Sequence, residues 1–390
     1  MRTIKRTRGM AIVAVLAVVA FLLIAAISLL MRGVWQTNAG IRTIDSSSAF
    51  QLAEAAVDQA ARNLRTADAA DDVLAGMLAT GTFTIEAQTP IAATRYQVIG
   101  RGTSQQQSRR LEAVFELTPE SAFQFAVFGS QQVNVSGHAI VDSYDSRLGP
   151  YDSDPGPGYN AGHDGDMGTN ATTAGGIAVS GSIFVDGQLA VGAGVADPAS
   201  VVTGYNPAFI TGGTSPPSNT QDVVAQDTVF PLPAVTPPVG MPCPDFTATG
   251  NQTTTLAPGT YCYRNLTIQG HATLTASGKV TIYLTGSLSA KGNSTVGIQD
   301  DPTKMLFLMG SSSEATLEEG TITGSNIFYG ALYGPQSTIN ITGSAEVFGS
   351  IIARTVNVTG SASLHDDVAL SHTTDVTNRF TVTRRAWREL

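Results

Sequence analysis

Charged and aromatic residues are scarce in this chain. Only 14% of its 390 residues are Asp, Glu, Lys or Arg and 7% are aromatic, whereas 40 are glycine. Basic residues are rarest in the long central region, where positions 111–378 hold six of them against 23 acidic residues. A surface that binds nucleic acid needs clustered positive charge, so we expect no nucleic-acid binding there. Many glycines and few charges are typical of a turn-rich β protein.

Cysteine is nearly absent, and the common catalytic motifs are missing. No phosphate-binding loop or dinucleotide fingerprint occurs, and the serines lack the strand–turn–helix setting of a hydrolase nucleophile. The two cysteines, Cys243 and Cys262, cannot form a tetrahedral zinc site without other ligands. We therefore predict no enzymatic activity, no cofactor and no metal. In an extracytoplasmic region the two cysteines can pair as a disulfide.

One long hydrophobic run lies near the N-terminus. Residues 10–31 contain a single polar side chain, Ser28, and at 1.5 Å per residue they span roughly 33 Å, enough to cross a bilayer. Basic residues are concentrated in segment 1–9, and only Arg32 closely follows the run. This asymmetry predicts a single-pass inner-membrane protein with a cytoplasmic N-terminus and an ectodomain in the periplasm or at the cell surface. Apolar residues at helical spacing continue over 32–66, which predicts an amphipathic helix.

The N-terminal region resembles that of PilX-type minor pilins of type IV pilus systems, over about residues 5–65. The resemblance is carried by a basic leader that ends at Gly9, a hydrophobic stretch that starts at Met10, and the sequence Ser48–Ala56. It implies that prepilin peptidase cuts between Gly9 and Met10, and that the helix packs with other pilins or pseudopilins in a filament. An uncut membrane anchor is the alternative.

One position departs from the pilin pattern. The fifth residue after the implied cut is Ala14, where pilins generally carry a glutamate that pairs with the N-terminal amine of a neighbouring subunit. The departure resembles pseudopilins that lack this glutamate. It favours a role at the pilus tip or in initiation over bulk incorporation along the filament.

The remainder of the sequence predicts mainly β structure. Segment 81–118 alternates apolar and polar residues between glycines, which predicts a small antiparallel unit and resembles the strands after the pilin helix. Further on, Ile339–Ala345 recurs 17 residues later as Val356–Ala362. Six glycines mark a repeat of about 18 residues, and we place a coil corner at each of them: 270, 286, 310, 324, 343 and 360.

Repeats of this length, with one strand and one glycine corner each, predict a parallel β-helix over 121–368. A Greek-key sandwich is the alternative fold. The β-helix resembles the ectodomains attached to some PilX-type N-termini and, more distantly, bactofilins. Asn340 and Asn357, or Thr342 and Thr359, should align on its outer surface. Segments 142–173 and 198–244 interrupt the repeat and are predicted loop excursions, and 369–390 is a predicted C-terminal cap.

An acidic loop is the other candidate site. Asp152, Asp154, Asp164 and Asp166 offer oxygen ligands for calcium but lack the EF-hand spacing, so solvated turn residues are the simpler interpretation. With Asp142 and Asp145 they are also the only candidate carboxylates for cleaving a polysaccharide. The alternative function is therefore a tethered surface enzyme. The preferred function is a pilin-like structural protein that presents a β-helical surface for adhesion or assembly.

Overall fold

The computed structural model describes residues 7–65, 73–92, 94–105, 107–204, 206, 210, 222–310 and 319–390. The chain forms two compact units. Unit 1 comprises Met1–Thr118 and Thr381–Leu390, and unit 2 comprises Pro119–Phe380.

Unit 1 combines a long helix with an antiparallel sheet. Helix α1 spans Thr7–Asn63 without interruption, so the serines at 46–48 do not break it. The sheet beside it has five described strands, each hydrogen-bonded to the next. The strands are β1 Ala75–Leu78, β2 Gly81–Ala92, β3 Arg95–Ser104, β4 Gln107–Ser121 and β26 Thr377–Glu389.

The last strand corrects the predicted C-terminal cap. Segment 369–390 was expected to cover the final coil of the solenoid, but β26 joins the sheet of unit 1 beside β4. Its basic side chains find carboxylates there, because Arg385 pairs with Glu116 and Arg388 with Glu112. Only Val368–His372, a 3₁₀ helix, follows the last coil directly.

Unit 2 is a parallel β-helix, as the sequence predicts, and its strands form three faces. Three long strands bend around corners: β5 Val127–Gly137, β23 Ile327–Gly343 and β24 Glu346–Gly360. Face 1 contains parts of these together with β7 Met167–Thr169, β10 Leu189–Val191, β12 Val223–Ala225, β15 Gly259–Tyr263, β18 Val280–Leu284 and β21 Met305–Met309.

The other two faces are built in the same way from the long strands and short ones. Face 2 adds β8 Ile177–Gly181, β11 Val202–Thr203, β13 Phe246–Ala248, β16 Leu266–Gly270, β19 Leu288–Gly292 and β22 Glu319–Gly324. Face 3 contains parts of β23 and β24 with β6 Ile140–Tyr144, β9 Phe184–Val185, β14 Thr253–Leu256, β17 Thr273–Ala276, β20 Thr295–Val296 and β25 Ser363–Asp367.

The coils are not stacked in chain order. The first coil, β5 and β6, lies inside the stack, with β7, β8 and β9 paired on one side of it. On its other side β24 pairs with β5 and β25 pairs with β6. We call this second junction the seam. The chain winds from the first coil to β12, restarts at β13 at the opposite end, and winds back until β24 and β25 close the seam.

Inward side chains form one continuous core. Each strand contributes alternate aliphatic residues, as in Val133 and Val135, which stack on Val356 and Val358 across the seam. All four are 1% exposed or less. Stacking like residues on like removes a row of apolar surface from water in every coil, which is the main stabilising contribution of such a fold.

Glycines form a column at the end of face 2, although two of the predicted corners lie elsewhere. The in-register column is Gly270, Gly292, Gly324, Gly343, Gly360, Gly137 and Gly181, all with positive φ. Gly286 and Gly310 do not belong to it. Gly286 lies against Arg264, and Gly310 against Val235. The column itself has spacings of 22, 32, 19 and 17 residues from Gly270 to Gly360, because the connections between strands differ in length. The six predicted glycines therefore match a repeat of about 18 residues only in their average.

The predicted excursions contain short strands. Strand β7 and most of β6 fall within 142–173, and β11 and β12 fall within 198–244. Strands β7, β11 and β12 have only two or three residues, too few to show a period-two pattern, which explains why the sequence does not reveal these three.

A proline-rich strap, Gln226–Cys243, runs along the outside of face 1. Near its start the ring of Phe230 lies 4.7 Å from that of Phe128. Further along, the Tyr333 hydroxyl donates a 2.7 Å hydrogen bond to the Pro233 carbonyl oxygen. At the far end Cys243 Sγ is bonded to Cys262 Sγ on β15, with the Cα atoms 4.7 Å apart.

The strap is long enough to cover the whole height of face 1. Nine described strands of face 1, from β12 to β15, span about 38 Å at roughly 4.8 Å per strand. An extended proline-rich segment over 226–243 reaches about 53 Å at roughly 3.1 Å per residue. The strap is therefore long enough to carry the chain from one end of the stack to the other.

We predict that the disulfide holds the far end of the strap. Replacing both cysteines by serine should lower the stability of unit 2 by about 3 kcal/mol, because the cross-link restricts a loop of about 20 residues in the unfolded chain. Thermal unfolding with and without reductant measures this. Reductant should lower the midpoint of the wild type and leave the double variant unchanged; equal midpoints for all four samples would contradict the prediction.

We also predict that the glycine column cannot accept a side chain. At Gly137, which has φ +99°, an added Cβ would lie 2.2 Å from the Gly360 carbonyl oxygen. Gly137→Ala should therefore destabilise unit 2 by at least about 2 kcal/mol. Gly156→Ala is the matched control, since nothing lies within 4 Å of its added Cβ. It should change the free energy of unfolding by less than about 0.5 kcal/mol.

Candidate functional site

The exposed half of α1 is the first candidate site. From Val13 to Met31 every large apolar side chain is 47–71% exposed. This helix is long and apolar enough to cross a membrane. An apolar surface of this size needs a partner, which for an uncharged helical segment is the hydrocarbon of a bilayer or the apolar helices of other subunits.

The predicted processing junction lies at the start of this helix. The backbone of Gly9 and Met10 belongs to α1, whereas residues 1–6 of the leader lie outside the described residues. Ala14 follows about one turn after Met10 and is exposed. Its methyl group offers no carboxylate to a neighbouring subunit.

The other half of α1 is held tightly against the sheet of unit 1. Small and aliphatic residues on one side of the helix are 2% exposed or less: Ala49, Leu52, Ala53, Ala56, Val57 and Ala60. They approach two glycines of β3. A Cβ on Gly102 would lie 2.1 Å from the Ala49 carbonyl oxygen, and one on Gly100 2.9 Å from the Ala53 carbonyl oxygen. The glycines permit a helix–sheet distance that no other residue would allow.

Polar contacts fix the point where α1 leaves the sheet. Arg109 on β4 donates hydrogen bonds to Ser46 Oγ at 2.7 and 3.0 Å and to Glu389 Oε1 at 2.7 Å. The Arg109 guanidinium thus joins the helix to both β4 and β26. This contact holds the exposed half of α1 at a defined exit point from the sheet.

The aspartates predicted as a loop cluster are separated by the fold. Asp142 accepts hydrogen bonds from the Tyr151 hydroxyl at 2.7 Å and from His365 Nδ1 at 2.5 Å. Asp145 is paired with Arg147 at 2.6 Å. Asp152 caps its own turn by accepting from the Asp154 backbone amide at 2.9 Å. The carboxylates are therefore tied to different partners.

Asp164 and Asp166 lie where the chain returns to face 1. Ser143 Oγ accepts from the Asp164 amide, and Asp166 Oδ1 accepts from the Gln188 amide. Burial, reinforced by the charge of Asp164, raises the pKa of Asp166 to about 6. Among the residues that the structure describes, no group of three His, Cys, Asp or Glu side chains is arranged to hold a metal ion.

Face 3 also carries a stack of rings that the sequence does not reveal. The rings of Tyr329 and Phe348 are 4.8 Å apart, as are those of Phe348 and His365, and Tyr151 lies 4.0 Å from His365. These side chains come from neighbouring coils and from the 142–173 excursion. Only the stacking register brings them together, so no local sequence pattern could have identified the set.

Face 2 presents ordered polar side chains outward. Asn134 Nδ2 donates to Asn357 Oδ1, and Asn357 Nδ2 donates to Asn340 Oδ1, each at 2.8 Å. Beside this row, Thr342 is in register with Thr359. The predicted alignment of both pairs is confirmed. The result is a regular array of amides and hydroxyl groups across the seam.

Comparisons with known proteins give one family match and several similar structures. Residues 264–373 match a family model described as a domain of unknown function, DUF7305. The competence-associated pilin ComZ of Thermus thermophilus is 12% identical, with a TM-score of 0.33 over 89% of this chain and 97% of that one. No curated protein matches the sequence.

Ice-binding proteins are also among the similar structures. One from an Antarctic biological consortium is 16% identical, with a TM-score of 0.35, and covers 64% of this chain and 91% of that one. The ice-binding protein of Shewanella frigidimarina is 14% identical, with a TM-score of 0.30, and covers 64% of this chain and 98% of that one.

We predict that Gly102 is essential for docking α1 on its sheet. Gly102→Ala should destabilise unit 1 by about 2 kcal/mol or more, because the added methyl group meets helix backbone rather than a movable side chain. Gly40→Ala is the control: it lies in α1 with nothing within 4 Å of an added Cβ. Gly102→Ala should be cleaved faster in limited proteolysis and unfold at a lower temperature than the wild type. Gly40→Ala should match the wild type in both measurements.

Proposed function

We propose that the protein is a filament-associated minor pilin-like structural protein whose helix lies in the inner membrane before assembly. The observation that carries this proposal is the division of α1. Its first part exposes an uninterrupted apolar surface, and its last part is buried against a small antiparallel sheet through Ala49, Ala53 and Gly102. A simple anchor needs no such rigid continuation into a folded unit.

We propose a non-enzymatic role for the β-helix, which presents a surface for adhesion or assembly. Face 2 is our candidate for this surface because it displays the amide row of Asn134, Asn357 and Asn340. Face 1 is covered in part by the strap, and face 3 in part by the excursion that contains Tyr151. The aspartates that would serve a polysaccharide-cleaving enzyme are bound to separate partners, so no observation favours that alternative.

We further propose a cytoplasmic N-terminus, cleavage by prepilin peptidase after Gly9, and a tip or initiating position in the filament. The basic leader and the charge asymmetry around residues 10–31 support the orientation. Ala14 supports the position, because the methyl group cannot neutralise the N-terminal amine of a neighbour. Other pilins or pseudopilins would be the partners of the exposed half of α1.

The N-terminal residue of the membrane-extracted protein tests this function. Mass spectrometry should find a start at Met10 in cells that contain prepilin peptidase and a start at Met1 in cells that lack it. Gly9→Leu should block cleavage, whereas Gly33→Leu, at another glycine of α1, should not. A start at Met1 in both strains would overturn the pilin assignment.

Filament fractions test the proposed position. Sheared surface filaments should contain the processed protein at far below the amount of the major pilin, because Ala14 disfavours bulk incorporation. Equal amounts of the two proteins in the sheared fraction would contradict a tip or initiating role.

A further inference from the structure

The seam contains two buried acidic side chains on β25. Strand β25 lies in register on β6, which places Asp366 beside Ser143 and Asp367 beside Tyr144. Asp366 is 6% exposed and Asp367 is 1% exposed. Two carboxyl groups are thus enclosed at the point where β25 meets the first coil.

Several polar atoms of this cluster have no hydrogen-bond partner among the described residues. They are Asp366 Oδ1, Asp367 Oδ2 and the Tyr144 hydroxyl. Tyr144 is 2% exposed, and its register position puts it on the same side of the sheet as Asp367. Buried polar groups are normally satisfied, so three unsatisfied oxygens at one junction require an explanation.

The charges that face Asp366 are negative. Asp367 is its neighbour on β25. Ser143, the register partner of Asp366, accepts a hydrogen bond from the amide of Asp164 in the segment before β7, and the charges of Asp367, Asp166 and Asp164 disfavour an ionised Asp366. The charges of Asp367 on β25 and of Asp300, which precedes β21, likewise act on Tyr144 and disfavour its ionised form. The surroundings of Asp366 therefore favour the uncharged carboxyl group.

The nearby cationic groups are already engaged. Arg147 is paired with Asp145 at 2.6 Å. His365 Nδ1 is bonded to Asp142 at 2.5 Å, and its Nε2 lies 3.8 Å from Glu346 Oε1. An ionised Asp366 would thus be a buried charge next to like charges, which is strongly unfavourable.

We propose that Asp366 and Asp166 form a proton-binding site that holds the seam closed when they are protonated. A protonated carboxyl group can donate a hydrogen bond to an adjacent carboxylate or hydroxyl oxygen, and it removes the repulsion among the four aspartates. Loss of the protons leaves repelling charges on β25 and on the segment before β7, on either side of the first coil, and loosens the junction. This inference concerns the β-helix alone and does not depend on the proposed pilin function.

The direction of the pH effect follows from the shifted groups. Burial and neighbouring carboxylates raise the pKa of Asp366 well above its ordinary value, and burial raises that of Asp166 to about 6. An acid whose pKa is raised in the closed state binds protons more tightly there, so closure weakens as the pH rises through the raised pKa. Burial lowers the pKa of His365, but its bonds to Asp142 and Glu346 outweigh this and raise it. His365 therefore acts in the same direction.

Hydrogen exchange of the full-length protein in detergent micelles tests the proposal. After correction for intrinsic exchange, opening of β24 and β25 should increase about tenfold or more between pH 5 and pH 8, the amount expected from Asp166 alone. Strands β16 and β19, which lie away from the seam, should change less. In the double variant Asp166→Asn with Asp366→Asn, the ratio of opening at pH 8 to opening at pH 5 should be about tenfold smaller than in the wild type.

A matched variant and a cation control make the outcome decisive. Asp154→Asn with Asp197→Asn removes two exposed carboxylates and should behave as the wild type. A double seam variant with wild-type protection at pH 5 and an unchanged pH ratio would overturn the proposal. So would a wild-type seam at pH 8 that 1 mM Ca²⁺ protects as strongly as acid does, because the oxygens would then bind a cation instead of protons.

Discussion

The in-register pairing of β24 and β25 with β5 and β6 is the interaction on which the β-helix depends. Asn134 and Asn357 are hydrogen-bonded across this seam although 223 residues separate them in the chain. This pairing and the strap join the coils between β13 and β24 to the first coil. Long-range contacts of this kind form at a high loop-closure cost, so the stacked core and the polar row must compensate for it.

The sequence predicts the individual coils well because their signals are local. The long apolar helix, the repeat from Ile339 onward and the outward alignment of Asn340 with Asn357 all follow from residue spacing. The order of the coils does not, since it depends on which repeat lies on which. The same limit explains the misplaced corners at Gly286 and Gly310, the unexpected position of β26, and the ring stack around His365.

The two candidate functional surfaces, the apolar half of α1 and the polar array of face 2, belong to different units of the chain. In unit 1, small residues and glycines allow α1 to lie close to its sheet, and the Arg109 contacts fix its exit. In unit 2, the strap over face 1 and the excursion over face 3 use those surfaces for the fold itself. We assign external contacts to the polar array of face 2 and to the apolar half of α1.

Cross-linking across the seam tests the central claim most directly. Ser136 and Thr359 are register partners on β5 and β24, so cysteines placed at both positions should form a disulfide, identified by peptide mass mapping under non-reducing conditions. Cysteines at Ser180 and Thr359 lie about two strand spacings apart, roughly 9.6 Å, and should not bridge. A bridge for the first pair alone would establish the closed, non-sequential stack. Absence of that bridge in folded protein would show that β24 does not pair with β5 of the first coil.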